Sequence, residues 1–306
     1  MASRSERVLV TGARGFTGRH LCTELRAAGY EVIGLVESPP AAPDEVCANL
    51  LDAAAVEHAV AEAEPDRVVH LAAISFVAHD DIEAFYRINL LGSLALMQAL
   101  AARAERIRTV ILASSANVYG NAESEAIEET LLPAPVNHYG ASKLAMEHMA
   151  AAYRDRLPVV IVRPFNYTGP GQSEQFVVPK LVAHFRRRAE AVELGNIDVV
   201  REFMDVRKVC EVYRRLLACE AAAGNTINIC SGRGMRLREV IALLEMQTSH
   251  RLEIRVNPRS MRAGEVRRLI GSSRKLAALI GPVAHAPLEA TLREMLEEAR
   301  SMTPHT

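Results

Sequence analysis

Short apolar, β-branched runs recur through the first half of the chain, and between them apolar positions return every three or four residues. Residues 7–10, 31–36, 67–71, 109–113 and 159–163 read as strands on this pattern. Residues 18–28, 56–63, 83–104 and 139–156 read as helices. The strand runs are apolar nearly throughout instead of alternating with polar residues. Such strands are covered on both faces, which predicts a parallel, doubly wound α/β sheet of Rossmann type.

Beyond Pro164 the pattern changes, with more proline, glycine and charge through residues 164–201. A helix at 206–219 and a strand at 226–230 then return to the first pattern. The last segment predicts a helix at 237–245, an extended piece at 252–256 and a helix at 288–300. The predicted organisation is a dinucleotide-binding domain of residues 1–164 with 202–230 returning to it. Residues 165–201 and 231–306 form a smaller α/β substrate lobe.

Composition narrows the picture. With no tryptophan and 5% aromatics, the core must be built largely from Ala, Val, Leu and Ile. A net charge of −1 provides no bulk attraction for nucleic acid. No apolar run reaches the length of a membrane span, and the first residues carry no apolar leader, so a cytoplasmic protein is expected. The five cysteines (22, 47, 210, 219 and 230) are odd in number and contain no C-x-x-C pair. That favours free thiols over disulfides, and no metal site is expected.

The segment VLVTGARGFTGRHL places Gly12, Gly15 and Gly18 between the first strand and the first helix. Glycine there lets the chain turn tightly and lets a pyrophosphate approach the backbone at a helix N-terminus. Glu37 ends the second strand, where a carboxylate can hold ribose hydroxyls and repel a 2′-phosphate. Arg14, inside the turn, argues the other way. NAD(H) or NADP(H) is therefore the expected cofactor, with Glu37 leaning the choice toward NAD.

Tyr139 and Lys143 stand four residues apart on a predicted helix, hence on one face. A nearby ammonium and a nicotinamide cation both favour phenolate, which would let Tyr139 exchange a proton with a substrate oxygen. Ser114 and Ser115 end the strand at 109–113, on the ligand side of such a sheet, where a hydroxyl can hold a carbonyl oxygen. His138 is read as packing at the helix start, and His184 with the basic run 186–188 as a solvated face.

Taken together, TGARGFTG at 11–18, LAA at 71–73, Asn89 in RINLLGS, SSANVYG at 114–120, YGASK at 139–143 and RPFNYTGPG at 163–171 resemble the extended short-chain dehydrogenase/reductases over nearly the whole chain. The resemblance implies Ser115, Tyr139 and Lys143 as the catalytic triad. It implies a cofactor site of Gly12, Arg14, Gly15, Phe16, Thr17, Gly18, Glu37, Asn49, Leu50, Leu71, Ala72, Ala73, Asn89, Tyr139, Lys143 and Phe165, with Pro164 beside it. The family usually has Asp where Asn49 stands. Its D-V-x-D pattern appears as Asp205-Val206-Arg207-Lys208, with lysine replacing the second acid.

RPFNYTGPGQ, LGNIDVVREFMDV and NICSG look like the nucleotide-sugar branch of this family. That implies a substrate side of Ser75, Ser114, Ser115, Asn166, Val178, Lys180, Arg201, Arg262 and Glu265, with Arg201 and Arg262 as phosphate ligands. The family's 4,6-dehydratases carry an acid just after the serine, and its 3,5-epimerase–reductases a cysteine. Ala116 and Asn117 supply neither. Simple carbonyl reduction or C4 epimerisation remains. RPFNYTGPGQSEQFVVPK with ELGNIDVVREF looks most like the GDP-4-keto-6-deoxy-D-mannose reductases, which make GDP-rhamnose. The alternative, carried by SSANVYG, is a UDP-hexose 4-epimerase with tightly bound NAD. A homodimer through a four-helix bundle of the helices at 83–104 and 139–156 is a further implication; the apolar face of Leu90, Leu94, Met97 and Ala101 fits it and fits an internal core equally.

Overall fold

In the computed structural model, which describes residues 5–77, 79–122, 124–257 and 266–301, strands and helices alternate from the start. The elements are β1 (Arg7–Thr11), α1 (Phe16–Ala27), β2 (Glu31–Val36), β3 (Glu45–Cys47), α2 (Ala53–Ala63), β4 (Arg67–His70), α3 (Ile82–Tyr86), α4 (Ser93–Ala101), β5 (Thr109–Ala113), α5 (His138–Ala151) and β6 (Val159–Pro164). Then come β7 (Tyr167–Thr168), α6 (Val177–Arg186), β8 (Ala191–Leu194), β9 (Val200–Arg201), β10 (Met204–Asp205), α7 (Val206–Leu217) and β11 (Thr226–Ile229). The last are β12 (Met235–Arg236), α8 (Leu237–Thr248), β13 (Glu253–Val256), β14 (Arg268–Leu269), α9 (Arg274–Ile280) and α10 (Leu288–Ser301).

The central sheet runs β11-β6-β5-β4-β1-β2-β3, every pair parallel. Side chains of successive strand residues point to opposite faces, and both faces are packed. Val8 and Val10 join α1 and α7 through Leu21, Leu25, Val209 and Leu216. Leu9 and Val68 join α2, α4 and α5 through Val60, Leu100 and Met146. Strand order reverses between β1 and β4, which opens a crevice at the carboxyl ends of those strands.

A separate core made by α6, β8, α8, β13 and α10 holds Leu181, Phe185, Val192, Val240, Leu244 and Leu292. This lobe is tied to the sheet domain at the head of α7. Asp205 caps that helix by accepting from the Arg207 amide at 2.8 Å, and it also accepts from Thr291 of α10 at 2.8 Å. Arg207 bridges Asp205 and Glu294. Lys208, where the family pattern has an acid, pairs within the helix with Glu211 at 2.9 Å. The junction is therefore held by the first Asp and its neighbouring arginine.

Several elements differ from the sequence expectation, β8 and α9 among those that it did not include. The predicted helix at 83–104 is divided: α3 and α4 are separated by a wide π-turn at Arg87–Gly92. Strand β3 was not anticipated, since three residues at a sheet edge carry too little pattern to read. Of the four residues expected on an apolar dimer face, Met97 and Ala101 are instead buried in the internal core of the sheet domain. Among the described residues, no helix is long and apolar enough to cross a membrane.

Candidate active site

Gly12 has φ +67°, and a Cβ placed there would lie 2.9 Å from the Ala72 amide nitrogen. A Cβ on Gly18 would lie 2.2 Å from the Gly12 carbonyl oxygen. Glycine at these two positions is thus a steric requirement of the turn. Gly15 is the N-cap of α1 and no side chain caps that helix, so its first N–H groups face the crevice. This cradle fits a dinucleotide pyrophosphate. From it a cavity of about 940 Å³ runs along the carboxyl ends of the strands to the second lobe.

A buried polar chain fixes the cradle from beneath. The Ala72 amide donates to Thr11 Oγ1 at 3.1 Å, which meets His70 Nδ1 at 2.7 Å. His70 Nε2 lies 2.8 Å from Ser93 Oγ, whose hydroxyl donates to the Asn89 carbonyl at 2.7 Å. With the Ser93 proton so engaged, His70 must donate from Nε2 and accept at Nδ1. Burial holds the His70 imidazole neutral, with its pKa lowered to about 3.

Asn89 is fully buried in the π-turn. Its amide accepts from the Ile74 N–H at 2.9 Å and donates to the Ile74 carbonyl and to Ser142 Oγ at 3.1 and 3.0 Å. Ser142 in turn donates to the Tyr139 carbonyl at 2.8 Å. Asn89 therefore lies behind the cavity wall and couples the loop after β4 to the helix of Tyr139.

Ser115, Tyr139 and Lys143 converge on one end of the cavity. Asn137 caps α5 by accepting from the Gly140 amide at 2.8 Å, which puts Tyr139 in the first turn and Lys143 one turn later. The Lys143 ammonium donates to the Ala113 carbonyl at 2.8 Å. Burial lowers its pKa to about 8, and the Glu147 carboxylate partly offsets that shift. The tyrosine departs from expectation: burial pushes the Tyr139 phenol above its ordinary value, and the Ser115 hydroxyl only partly reverses this. Both groups are removed from water, so the desolvation of the phenolate outweighs the attraction expected from the lysine.

Ser114 turns its hydroxyl away from this end, onto Glu147 at 2.5 Å. Glu147 also accepts from Arg163 at 2.9 and 2.6 Å, and Arg163 stacks over the Tyr119 ring with its Cζ 4.8 Å from the centroid. The ends of β5 and β6 and the middle of α5 are thus clamped by one carboxylate.

The remaining predicted residues distribute as follows. Gly12, Gly15, Phe16, Thr17, Gly18, Leu71, Ala72, Ala73 and Phe165, with Ser75, Asn166, Lys180 and Arg201, all line the cavity. Lys180 donates to the Glu193 carbonyl at 2.8 Å, and Arg201 donates to the carbonyls of Val200 and Val266. Val178 is buried in the lobe core instead of lining the cavity. Asn49 and Leu50 follow β3, off the cavity wall; Asn49 Oδ1 accepts from the Leu51 amide at 2.9 Å, and Leu50 packs in the sheet core. Arg262 and Glu265 lie outside the described residues. Glu37 is exposed at the end of β2. Arg14 reaches across to Glu45 in a bidentate pair at 2.9 and 2.6 Å and to Ser38 Oγ at 2.6 Å.

Sequence reading missed Tyr167, although it stands in the RPFNYTGPG motif. Its hydroxyl meets Thr17 Oγ1 at 2.8 Å and its ring stacks on Phe16, centroids 6.1 Å apart. It pins the start of α1 to the segment leaving β6. Glu202, beside Arg201 in the REF triplet, was also missed. It is fully buried and accepts from the Gly271 amide at 2.6 Å and from Ser231 Oγ at 2.7 Å. For Arg163 a charged residue within the otherwise apolar strand β6 was an available signal, whereas Glu202 follows β9 outside any strand and carried none.

The description "NAD dependent epimerase/dehydratase family" matches residues 8–230. The chain is 35% identical over 291 residues to GDP-6-deoxy-D-talose 4-dehydrogenase of Aggregatibacter actinomycetemcomitans, covering 94% of this chain and 96% of that protein. It is 36% identical over 308 residues to GDP-6-deoxy-D-mannose reductase of Pseudomonas aeruginosa, covering 97% and 98%. A solved structure of RMD from Pseudomonas aeruginosa, complexed with NADPH, superposes with a TM-score of 0.85 at 35% identity, covering 98% of this chain and 99% of that one.

Proposed function

Because the chain belongs to the NAD-dependent epimerase/dehydratase family, its crevice being that of a nicotinamide-dependent oxidoreductase acting on nucleotide sugars, we propose that it interconverts the C4 carbonyl and hydroxyl of a GDP-linked 6-deoxyhexose. In the reducing direction the substrate is GDP-4-keto-6-deoxy-D-mannose and the product GDP-D-rhamnose or its C4 epimer. The carrying observation is the convergence of Ser115, Tyr139 and Lys143 in a cavity that continues to Arg201 in the second lobe, with Asn117 where a dehydratase would need an acid. Both GDP-sugar relatives bear names for chemistry at this same carbon or its reduced product.

The residues divide the work. The cradle of Gly12, Gly15 and Gly18 holds the pyrophosphate, and a bound nicotinamide supplies or receives the hydride. Ser115 donates to the C4 oxygen, and Tyr139 gives that oxygen its proton as negative charge develops there. Lys143 holds the nicotinamide ribose and helps the phenol regain a proton. Arg201 takes a phosphate oxygen of the nucleotide, for which its planar donor fork is suited. Of the two nicotinamide cofactors we infer NAD(H), on the exposed carboxylate of Glu37 after β2 and the pairing of Arg14 with Glu45.

Purified protein incubated with GDP-4-keto-6-deoxy-D-mannose should consume reduced-nicotinamide absorbance stoichiometrically with a reduced GDP-sugar. No consumption with either NADH or NADPH would overturn this reading. Interconversion of UDP-glucose and UDP-galactose without net cofactor change would put a 4-epimerase in its place.

A further inference from the structure

The proton of the Ser115 hydroxyl has only one place to go. Ser115 Oγ accepts from the Asn117 backbone N–H at 3.1 Å and from the Asn117 side-chain amide Nδ2 at 3.1 Å. A hydroxyl oxygen has two lone pairs and one hydrogen. With both lone pairs engaged, the hydrogen is left to point away from Asn117, toward the Tyr139 end of the cavity.

The orientation of the Asn117 amide follows from a second asparagine. The Gly140 backbone N–H can only donate, so the Asn137 atom that meets it at 2.8 Å is the carbonyl oxygen. The other end of Asn137 is then its NH₂ group, which faces Asn117 at 3.5 Å. The atom of Asn117 that receives it is Oδ1, which turns Nδ2 onto Ser115. A single backbone N–H in the first turn of α5, one residue after Tyr139, thus sets the polarity of the whole chain from Gly140 to Ser115.

We propose that Asn117, oriented by Asn137, is a positioning residue that fixes Ser115 as a hydrogen-bond donor to the reacting oxygen. An acid at position 117 would accept the Ser115 proton and take that donor away from the substrate. Asparagine there is suited to carbonyl reduction, because reduction places growing negative charge on the oxygen that Ser115 addresses. This inference rests on the proposed reading only in assigning Ser115 to that oxygen.

Two substitutions and one cycle test it in the full-length protein. Asn117→Ala should lower kcat about tenfold, a fraction of the loss typical for deleting an oxyanion donor outright, with KM changed less than about twofold. In a Ser115→Ala background the same change should cost nothing further, since a residue acting through Ser115 has no effect once Ser115 is gone. Equal fold-losses in both backgrounds would overturn the proposal. Asn137→Asp keeps the α5 cap, because aspartate also accepts from Gly140. It removes the NH₂ group, so Asn117 should turn over and kcat should fall with a melting temperature near that of the parent. Unchanged kcat in that variant would also overturn it.

If the parent protein reduces no 4-keto sugar, the functional reading fails and the hydroxyl can still be observed. Neutron diffraction of deuterium-exchanged crystals should place the Ser115 deuteron on the side of Tyr139. A deuteron directed at Asn117 would refute the inference whatever the substrate.

Discussion

Glu147 grips Arg163 through both carboxylate oxygens, at 2.9 and 2.6 Å, with neither side chain more than 7% exposed. The same carboxylate accepts from Ser114 and lies one helical turn beyond Lys143. A buried pair of this kind penalises the loss of one partner far more than the loss of both, because the survivor is left charged and dry. Glu147→Ala should destabilise the protein by about 3–5 kcal/mol in urea unfolding. Joint replacement of Glu147 and Arg163 by methionine should recover most of that loss.

Tyr139→Phe removes one oxygen and leaves the helix, the Lys143–Ala113 contact and the glycine cradle in place. Turnover should fall by roughly 10²–10⁴-fold, the usual worth of a positioned proton donor. Affinity for reduced nicotinamide, measured by fluorescence titration, should change little. A parallel loss of cofactor affinity would point to a structural defect instead.

His70 stays neutral in the folded protein to about pH 3, whereas an unfolded histidine titrates near its ordinary value of 6.5. Between those values the unfolded chain binds the extra proton, so stability is lost as pH falls from 6.5 toward 3, by about 1.4 kcal/mol per pH unit. Lys143 acts in the alkaline range. Its folded pKa of about 8 lies below the ordinary 10.5, so the unfolded chain again binds more protons and stability rises with pH between those values. Denaturant midpoints across pH should show both slopes; His70→Gln should flatten the acid one and Lys143→Met the alkaline one.

Arg14 is held by Glu45 at the edge of the glycine turn, close to Ser38 and Pro39 at the end of β2. Glu45→Gln would leave the guanidinium with an unopposed positive charge where a 2′-phosphate would sit. The ratio of NADPH to NADH affinity should then rise by roughly tenfold, the equivalent of one charged hydrogen bond. Competitive binding of the two cofactors to parent and variant measures this directly.

The sheet, its parallel sense and the glycine turn were legible along the chain because each depends on short-range pattern. Apolar runs mark strands buried on both faces, glycines mark a turn no other residue can make, and a spacing of four puts Tyr139 and Lys143 on one side of a helix, whereas grouping them with Ser115 came from the family resemblance. Tertiary structure alone decided which polar residues serve the site and which support it. His70 reaches Asn89 through Ser93, and Ser114 meets Glu147 directly, yet the four come from separate segments, and hydrogen-bond direction leaves no trace in sequence spacing. The elevated phenol of Tyr139 and the outward hydroxyl of Ser115 belong to the same category. Both follow from how completely neighbouring elements exclude water and fill lone pairs, a property of packing in three dimensions.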